Sequence, residues 1–308
     1  MSVITSGSFA KALWPGVNKW YGDAYNEYPV EWTKLYDQNK SSRAFEEDVG
    51  TSGLGLAVVK AEGAPVTFDT SRQGFTTRYQ HVTYALGFVV TREAFDDDQY
   101  DVVGKKRAQA LAFSMRQTKE IVAANVYNRA FNTSYTGGDG STLIACASAG
   151  SASHANVAGG TYTNGPAVDT DISEAAFEQA SIDIQQFTND RGLKIAVMPK
   201  KLIIPIQLEF EAMRILKTDG RPGTDLNDMN VVKTLGIIPE IVKNHYLTDA
   251  DAWFIMTNVP DGMKYWERNG DEFGTDNDWD TENAKFKARA RYSFGWTDPR
   301  CMYGSEGA

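Results

Sequence analysis

The alternation of apolar and polar positions changes character several times along the chain, and each change predicts an element. The most informative stretch runs from about Gly74 to Tyr135. Its first part, GFTTRYQHVTYALGFVV, alternates with period two. Phe75, Thr77, Tyr79, His81 and Thr83 share one face, and Thr76, Arg78, Gln80, Val82 and Tyr84 the other. Neither face is apolar until about Ala85, and a two-stranded ribbon without an apolar face is marginal alone in water. The preceding GLGLAVVK offers a partner strand, with Gly63, Pro65 and Gly74 as turn signals, so a long β-hairpin is expected. The second part, QYDVVGKKRAQALAFSMRQTKEIVAANVYNRAFNTSY, lacks proline. It predicts one helix of about 30 residues, roughly 45 Å long, where the average is about 11–12 residues. Asp96, Asp97 and Asp98 suit its N-terminus. Gly104 weakens the first turns by roughly 1 kcal/mol. Leu111, Met115, Val122 and Val126 mark an apolar face, and Lys105, Lys106, Arg116 and Lys119 a solvated or partner-facing side.

Before this stretch, residues 1–50 carry Trp14, Trp20, Tyr21, Tyr25, Tyr28, Trp32 and Tyr36 among polar residues, broken by Pro15 and Pro29. Such a segment is too aromatic to stay disordered and too irregular to bury its rings within itself. It predicts an arm laid across another surface, its own body's or a neighbour's. After the helix, residues 136–170 are rich in Gly, Ser, Ala and Thr and read as loop with short strands. From Asp171 a compact α/β pattern begins. ISEAAFEQASIDIQQFT is a helix capped by Asp171 or Ser173, KIAVMPKKLIIPI a buried strand ending in a turn at Pro205, and QLEFEAMRILK a second helix. KTDGRPGTDLNDMN is a polar loop, and IPEIVKNHYL and AWFIMTN are strands. KYWERN, AKFKARARYSFGWTDP and the tail complete the chain as antiparallel strands. Phe286, Ala288, Ala290, Tyr292 and Phe294 alternate with Lys285, Lys287, Arg289, Arg291 and Ser293, giving one buried and one basic face. The class is α+β.

Charge narrows the functions available. The net charge is −9 and no basic cluster is present, which argues against tight binding of nucleic acid phosphates. Cys146 and Cys301 are far apart and have no CxxC partner, as expected in a reducing compartment or where redox state is immaterial. No signal peptide and no run of about 18 apolar residues are present, so no membrane partner is expected. The sequons at Asn39 and Asn132 are read as chance matches.

A search for chemistry finds none. His81, His154 and His245 lie in separate segments without HxH or HExxH spacing. His245 reads as a structural histidine in a strand, and His154 has no assigned contact. There is no GxSxG elbow. GGDGST lacks the lysine of a phosphate loop, and GTSGLG at 50–55 is not GxGxxG and opens no helix. Asp276, Asp278 and Asp280 alternate as in a calcium loop, but the glycine and closing glutamate are missing, so a solvated turn is expected. No catalytic residue, cofactor or metal is expected.

Four segments carry a family resemblance: QGFTTRYQHVTYALGFVVTREAFDDDQYD, DISEAAFEQASIDIQQFTNDRGLKIAVMPKKLIIP, GIIPEIVKNHYLTDADAWFIMTNVPDGMKYWER and DNDWDTENAKFKARARYSFGWTDPR. In order and spacing the chain resembles the major capsid proteins of tailed bacteriophages with the Hong Kong 97-type fold, in the branch of Mu-like major head subunits. The resemblance implies an N-terminal arm (1–50), an extended loop (51–84), a peripheral domain with a spine helix (85–135 and 263–308) and an axial domain (136–262). It implies self-assembly as pentamers and hexamers into an icosahedral virion shell, formed in the bacterial cytoplasm around double-stranded DNA held without sequence-specific binding. A separate scaffolding protein, a portal protein and a decoration or cement protein are the implied partners. The lack of a long charged helical segment before the arm speaks against a fused scaffolding domain. Expected inter-subunit contacts are Trp14, Trp20 and Trp32 of the arm and Lys60, Phe68, Arg72, Phe75 and Tyr79 of the ribbon. Asp219, Arg221, Asp225 and Asn227 are expected at the tip of the axial loop. Lys60 is available for the covalent crosslinking some relatives use, though nothing in the sequence shows that it reacts. The alternatives are an encapsulin-like compartment and a soluble α/β enzyme.

Overall fold

The computed structural model describes residues 21–23, 25, 29–91, 93, 105–220, 228–277 and 283–308. Asp96–Asp98, Gly104, Asp278 and Asp280 lie outside the described residues, as do Trp14, Trp20, Arg221, Asp225 and Asn227.

A turn of 3-10 helix at Trp32–Lys34 leads into strands β1 (Asp37–Lys40) and β2 (Phe45–Thr51). After a long loop come β3 (Gln73–Gln80) and β4 (Val82–Val90), then helix α1 (Lys105–Asn128). Two short strands, β5 (His154–Ala155) and β6 (Thr161–Tyr162), precede α2 (Glu174–Gln185) and β7 (Pro199–Pro205). Next are α3 (Glu209–Lys217), the single-turn α4 (Val231–Thr234), β8 (Glu240–Asn244) and β9 (Trp253–Thr257). The chain closes with β10 (Met263–Asn277), β11 (Ala284–Trp296) and β12 (Met302–Ser305).

These strands form two four-stranded sheets, in the orders β1-β10-β11-β4 and β12-β9-β7-β8, and two two-stranded ribbons, β2-β3 and β5-β6. In the first sheet β11 shows the expected alternation as far as Tyr292, beyond which Ser293 is buried and Phe294 half-buried. Phe286, Ala288, Ala290 and Tyr292 are buried, while Lys285, Lys287 and Arg289 are exposed. That apolar face lies on α1, and one continuous core links Tyr127, Tyr265 and Tyr292 to Ile203, Phe254 and Met302 of the second sheet. A second core, with Phe177, Ile184, Leu202, Trp253 and Tyr303, sits beneath α2 and α3. Full burial of one such side chain contributes about 1.5–3 kcal/mol. Ser173, not Asp171, caps α2: its hydroxyl accepts the Ala176 N–H at 3.1 Å.

The structure corrects the expected hairpin. β3 pairs antiparallel with β2, and 53–60 forms no strand. Glu47 faces Arg78 at 2.8 Å, and the Arg78 guanidinium lies 4.1 Å from the Phe45 ring centroid. Gly53 and Gly55 weaken the competing segment as a strand. The ribbon ends at His81, which is buried between Ser293 Oγ and Ser41 Oγ, each 3.0 Å away. From there β4 joins the body, stacking Tyr84 on Tyr292 and Phe88 on Phe286 at 4.8 and 4.9 Å.

The spine is corrected at its C-terminal end: the helix is described over Lys105–Asn128, and the chain turns away after Asn128 instead of continuing to Tyr135. The buried stripe runs Ala108, Leu111, Ala112, Met115, Arg116, Lys119, Glu120, Ala123, Ala124 and Tyr127, while Val122 and Val126 flank it half-buried. Arg116 and Lys119 therefore face inward. Two further elements differ. From Trp32 onward the expected arm is body, with Trp32, Leu35 and Tyr36 in the main core and β1 parallel to β10. The C-terminal strand β12 pairs with β9, so the tail crosses to the second sheet.

Candidate assembly surfaces

Residues 52–72 form the loop that tips the β2-β3 ribbon. Leu54, Leu56, Val58, Val59, Val66 and Phe68 are all exposed, Val59 and Phe68 almost completely, at 101% and 92%. Exposed apolar concentrations of this kind mark contact surfaces. Lys60 and Arg72 are exposed beside them, and Phe75 is 39% exposed. Trp32 and Tyr79, by contrast, are buried in the subunit's own interior and make their contacts there.

Trp32 packs on Tyr265 at 4.4 Å. Below it the Lys119 ammonium lies 4.7, 4.8 and 5.4 Å from the ring centroids of Trp32, Tyr265 and Tyr292, and 3.9 Å from Glu267. Three ring faces take the place of most of the water lost by the ammonium. Burial still lowers the Lys119 pKa, against the pull of Asp271, Glu267 and Glu120. The next residue, Glu120, accepts the backbone N–H groups of Glu31 and Trp32, each at 3.0 Å. Burial raises its pKa, and those donors oppose the rise. Sequence reasoning missed this anchor because its rings come from three separate elements.

Where the ribbon meets the body, Tyr79 Oη lies 2.6 Å from Thr297 Oγ1. Thr297 donates to Asp48 at 2.9 Å, and Lys264 bridges Asp48 and Asp261 at 2.6 and 2.8 Å. Burial disfavours the Lys264 charge, but the two aspartates outweigh it and hold its pKa above the ordinary lysine value. Gly295 is required here, since a Cβ would lie 2.9 Å from the Tyr79 ring. Asp48, Asp261, Lys264 and Thr297 line a cleft of about 600 Å³ that Arg300 also lines. Arg300 bonds Thr188 O, Asn156 Oδ1 and Asp190 Oδ1 at 2.9, 2.6 and 3.0 Å, with its guanidinium over Tyr162. A second tie holds the loop itself. Asp69 accepts the Gly55 and Thr70 N–H groups at 2.7 and 2.8 Å and pairs with Arg191 at 2.7 Å. These donors, the two backbone groups first, keep its pKa below the usual carboxylate range.

The histidines exchange their expected roles. His154 is fully buried, 2.6 Å from Asp139 and 3.2 Å from Asn164, and stacks on Tyr162. His245 follows β8, half exposed, against Glu31. At the expected axial tip, Asp219 is exposed and pairs with Lys233. Asn230 caps α4 and binds the carbonyls of Ile215 and Thr218 at 2.5 and 3.1 Å, tying the start of α4 to the end of α3. Beside it Phe210, Met213, Met229 and Leu235 are exposed. Among the described residues no cluster of His, Cys, Asp and Glu is arranged to hold a metal ion.

The family model described as "Phage capsid protein" matches residues 74–305. A search of curated proteins gives no match. The fold is similar to that of a chain in the procapsid of bacteriophage JBD30, at TM-score 0.51 and 13% identity, covering 97% of this chain and 75% of that one. It is similar to a chain of Microbacterium phage Oxtober96 at TM-score 0.52 and 10% identity, covering 91% and 92%. A chain from the capsid of a native GTA particle matches at TM-score 0.51 and 13% identity, covering 90% of each. The Hong Kong 97-type fold and the family match agree: the chain belongs to the phage capsid protein family and is a major capsid protein of a bacteriophage head.

Proposed function

We propose that this subunit closes into pentamers and hexamers and joins them by laying the 52–72 loop over a neighbour. The observation that supports this is the contrast between the loop's bare apolar side chains and the hydrogen-bonded frame that aims them. Rings of five and six are closing heterologous interfaces, and several modest contacts per subunit add into a stable shell. Under this assignment Phe68, Phe75, Lys60 and Arg72 touch neighbours, with Trp14 and Trp20 of the arm. Asp219, Arg221, Asp225 and Asn227 line the capsomer axis. The peripheral domain comprises 85–135 and most of 263–308, and the axial domain 136–262, with β12 added to the axial sheet.

The acidic balance suits a shell that confines double-stranded DNA and later releases it. Assembly would take place in the bacterial cytoplasm with a separate scaffolding protein, and the finished head would carry a portal and a decoration protein. The role is structural, with no catalytic step. An encapsulin-like compartment is not favoured, because the matching family is that of phage capsids. Negative-stain microscopy of the purified protein tests the proposal. Closed shells of uniform diameter are expected, and a protein that stays monomeric under all assembly conditions would contradict it.

A further inference from the structure

A cavity of about 300 Å³ opens at the C-terminal end of α1. Its floor is apolar: Tyr127, Phe131, Leu247 and Phe254, with Tyr127 and Phe131 set against Phe254 at 5.5 and 5.9 Å between ring centroids. Its rim carries Asp249 and Glu306. Asn128 shapes the opening but is already committed, donating to Tyr246 O at 3.2 Å and accepting the Thr248 N–H at 3.0 Å.

Negative charge collects around this opening, with no ion-paired counter-charge among the described residues. Asp251 hydrogen-bonds Asp249, which raises its pKa, and burial together with Asp169, Asp249 and Asp251 raises that of Glu306. Asp169 Oδ1 is buried and has no hydrogen-bond partner among the described residues. The final carbonyls of α1 add partial negative charge on the same side. The ion pairs among the described residues include none to Asp249, Asp251 or Glu306. The crowding is built in, because Gly307, at φ +91, packs so tightly that a Cβ would lie 2.7 Å from Asp251 Cγ. Glu306 is thereby held beside the other carboxylates.

An occupant must satisfy both parts of the site. A bare cation would leave the aromatic floor uncovered, and an apolar side chain would leave the carboxylates unpaired. Lysine and arginine carry an aliphatic stem beneath a charged head and satisfy both. We propose that the pocket receives a lysine or arginine side chain of a neighbouring copy in the shell, its stem on Tyr127, Phe131 and Phe254 and its head between Asp249 and Glu306. The inference rests on the assembly proposed above.

Two measurements on shells built from this chain alone test it. Carboxylate footprinting with a carbodiimide and glycine ethyl ester should label Asp249 and Glu306 several-fold less in shells than in dissociated subunits. Glu306→Gln should shift the lone subunit and the shell in opposite directions. Relief of like-charge crowding raises the subunit Tm by about 2 °C, whereas loss of the pairing lowers the guanidinium concentration that dissociates the shell. Equal labelling in the two states, or a Glu306→Gln shell as stable as the parent, would overturn the inference, as would protection that appears only when a different protein is added. Absence of shells from the unmodified chain, with its scaffolding protein present as well as without it, is a separate outcome and contradicts the assembly proposal itself.

Discussion

The two ends of the β2-β3 ribbon are built on opposite principles. At its root the polar side chains bind one another: Tyr79 to Thr297, Thr297 to Asp48, and Lys264 to Asp48 and Asp261. At its tip, Leu56, Val59 and Phe68 face solvent, and outside the tie at Asp69 and the turn at Ala61–Ala64 few contacts restrain the loop. One end gains its stability from the subunit, and the other can gain it only from something else. The anchor around Lys119 belongs with the root, since it joins α1, β10, β11 and the 3-10 turn in one place. Changes at the root or the anchor should therefore be felt in folding, and changes at the tip only in assembly.

The largest effect on folding is expected from Lys119→Ala. It removes a stem and a cation from between three rings, with a loss of about 2–4 kcal/mol in chemical denaturation. A loss under about 0.5 kcal/mol, as for a surface lysine, would break the comparison. Glu120→Ala should cost roughly 1–3 kcal/mol, because two backbone donors lose their acceptor. Tyr79→Phe should cost about 1 kcal/mol and leave the fold unchanged. Phe68→Ser at the tip should move subunit stability by no more than about 0.5 kcal/mol while raising the concentration needed for assembly. The smallest effect concerns pH. Asp69 has a depressed pKa in the folded protein, so its tie to Arg191 is complete above the unfolded-state carboxylate range and is lost as pH falls through the folded value. Protection of the Gly55 and Thr70 amides, measured against their intrinsic exchange rates at each pH, should therefore fall only in strong acid, below the range of an ordinary aspartate.

Local pattern made much of this legible in advance. The alternation of β11 and the Ser173 cap of α2 follow from adjacent residues alone, and so does the long proline-free spine. What stayed hidden depends on partners distant in sequence. A lysine at position 119 reads as solvated until Trp32, Tyr265 and Tyr292 are brought around it. FEEDVGT is a poorer strand than GLGLAVVK by propensity, yet Glu47 and Phe45 meet Arg78 across the ribbon and decide the pairing. His154 looked free in a Ser/Gly loop until Asp139, Asn164 and Tyr162 closed on it. For the tip, a ribbon with no apolar face of its own carries only the expectation of a neighbour, which the exposed Leu56, Val59 and Phe68 support as a proposal.

The most direct measurement removes the tip and keeps the root. Ser52 and Arg72 already meet, Ser52 N–H to Arg72 O at 2.9 Å and Arg72 N–H to Ser52 Oγ at 2.8 Å, so residues 54–70 can be replaced by a short turn without disturbing β2 or β3. The variant is examined by thermal unfolding and by electron microscopy under conditions in which the full chain assembles. A cooperative melt close to that of the parent subunit, with no closed shells, is the predicted result. Regular shells from the shortened chain, or a subunit that no longer folds, would contradict the division between root and tip.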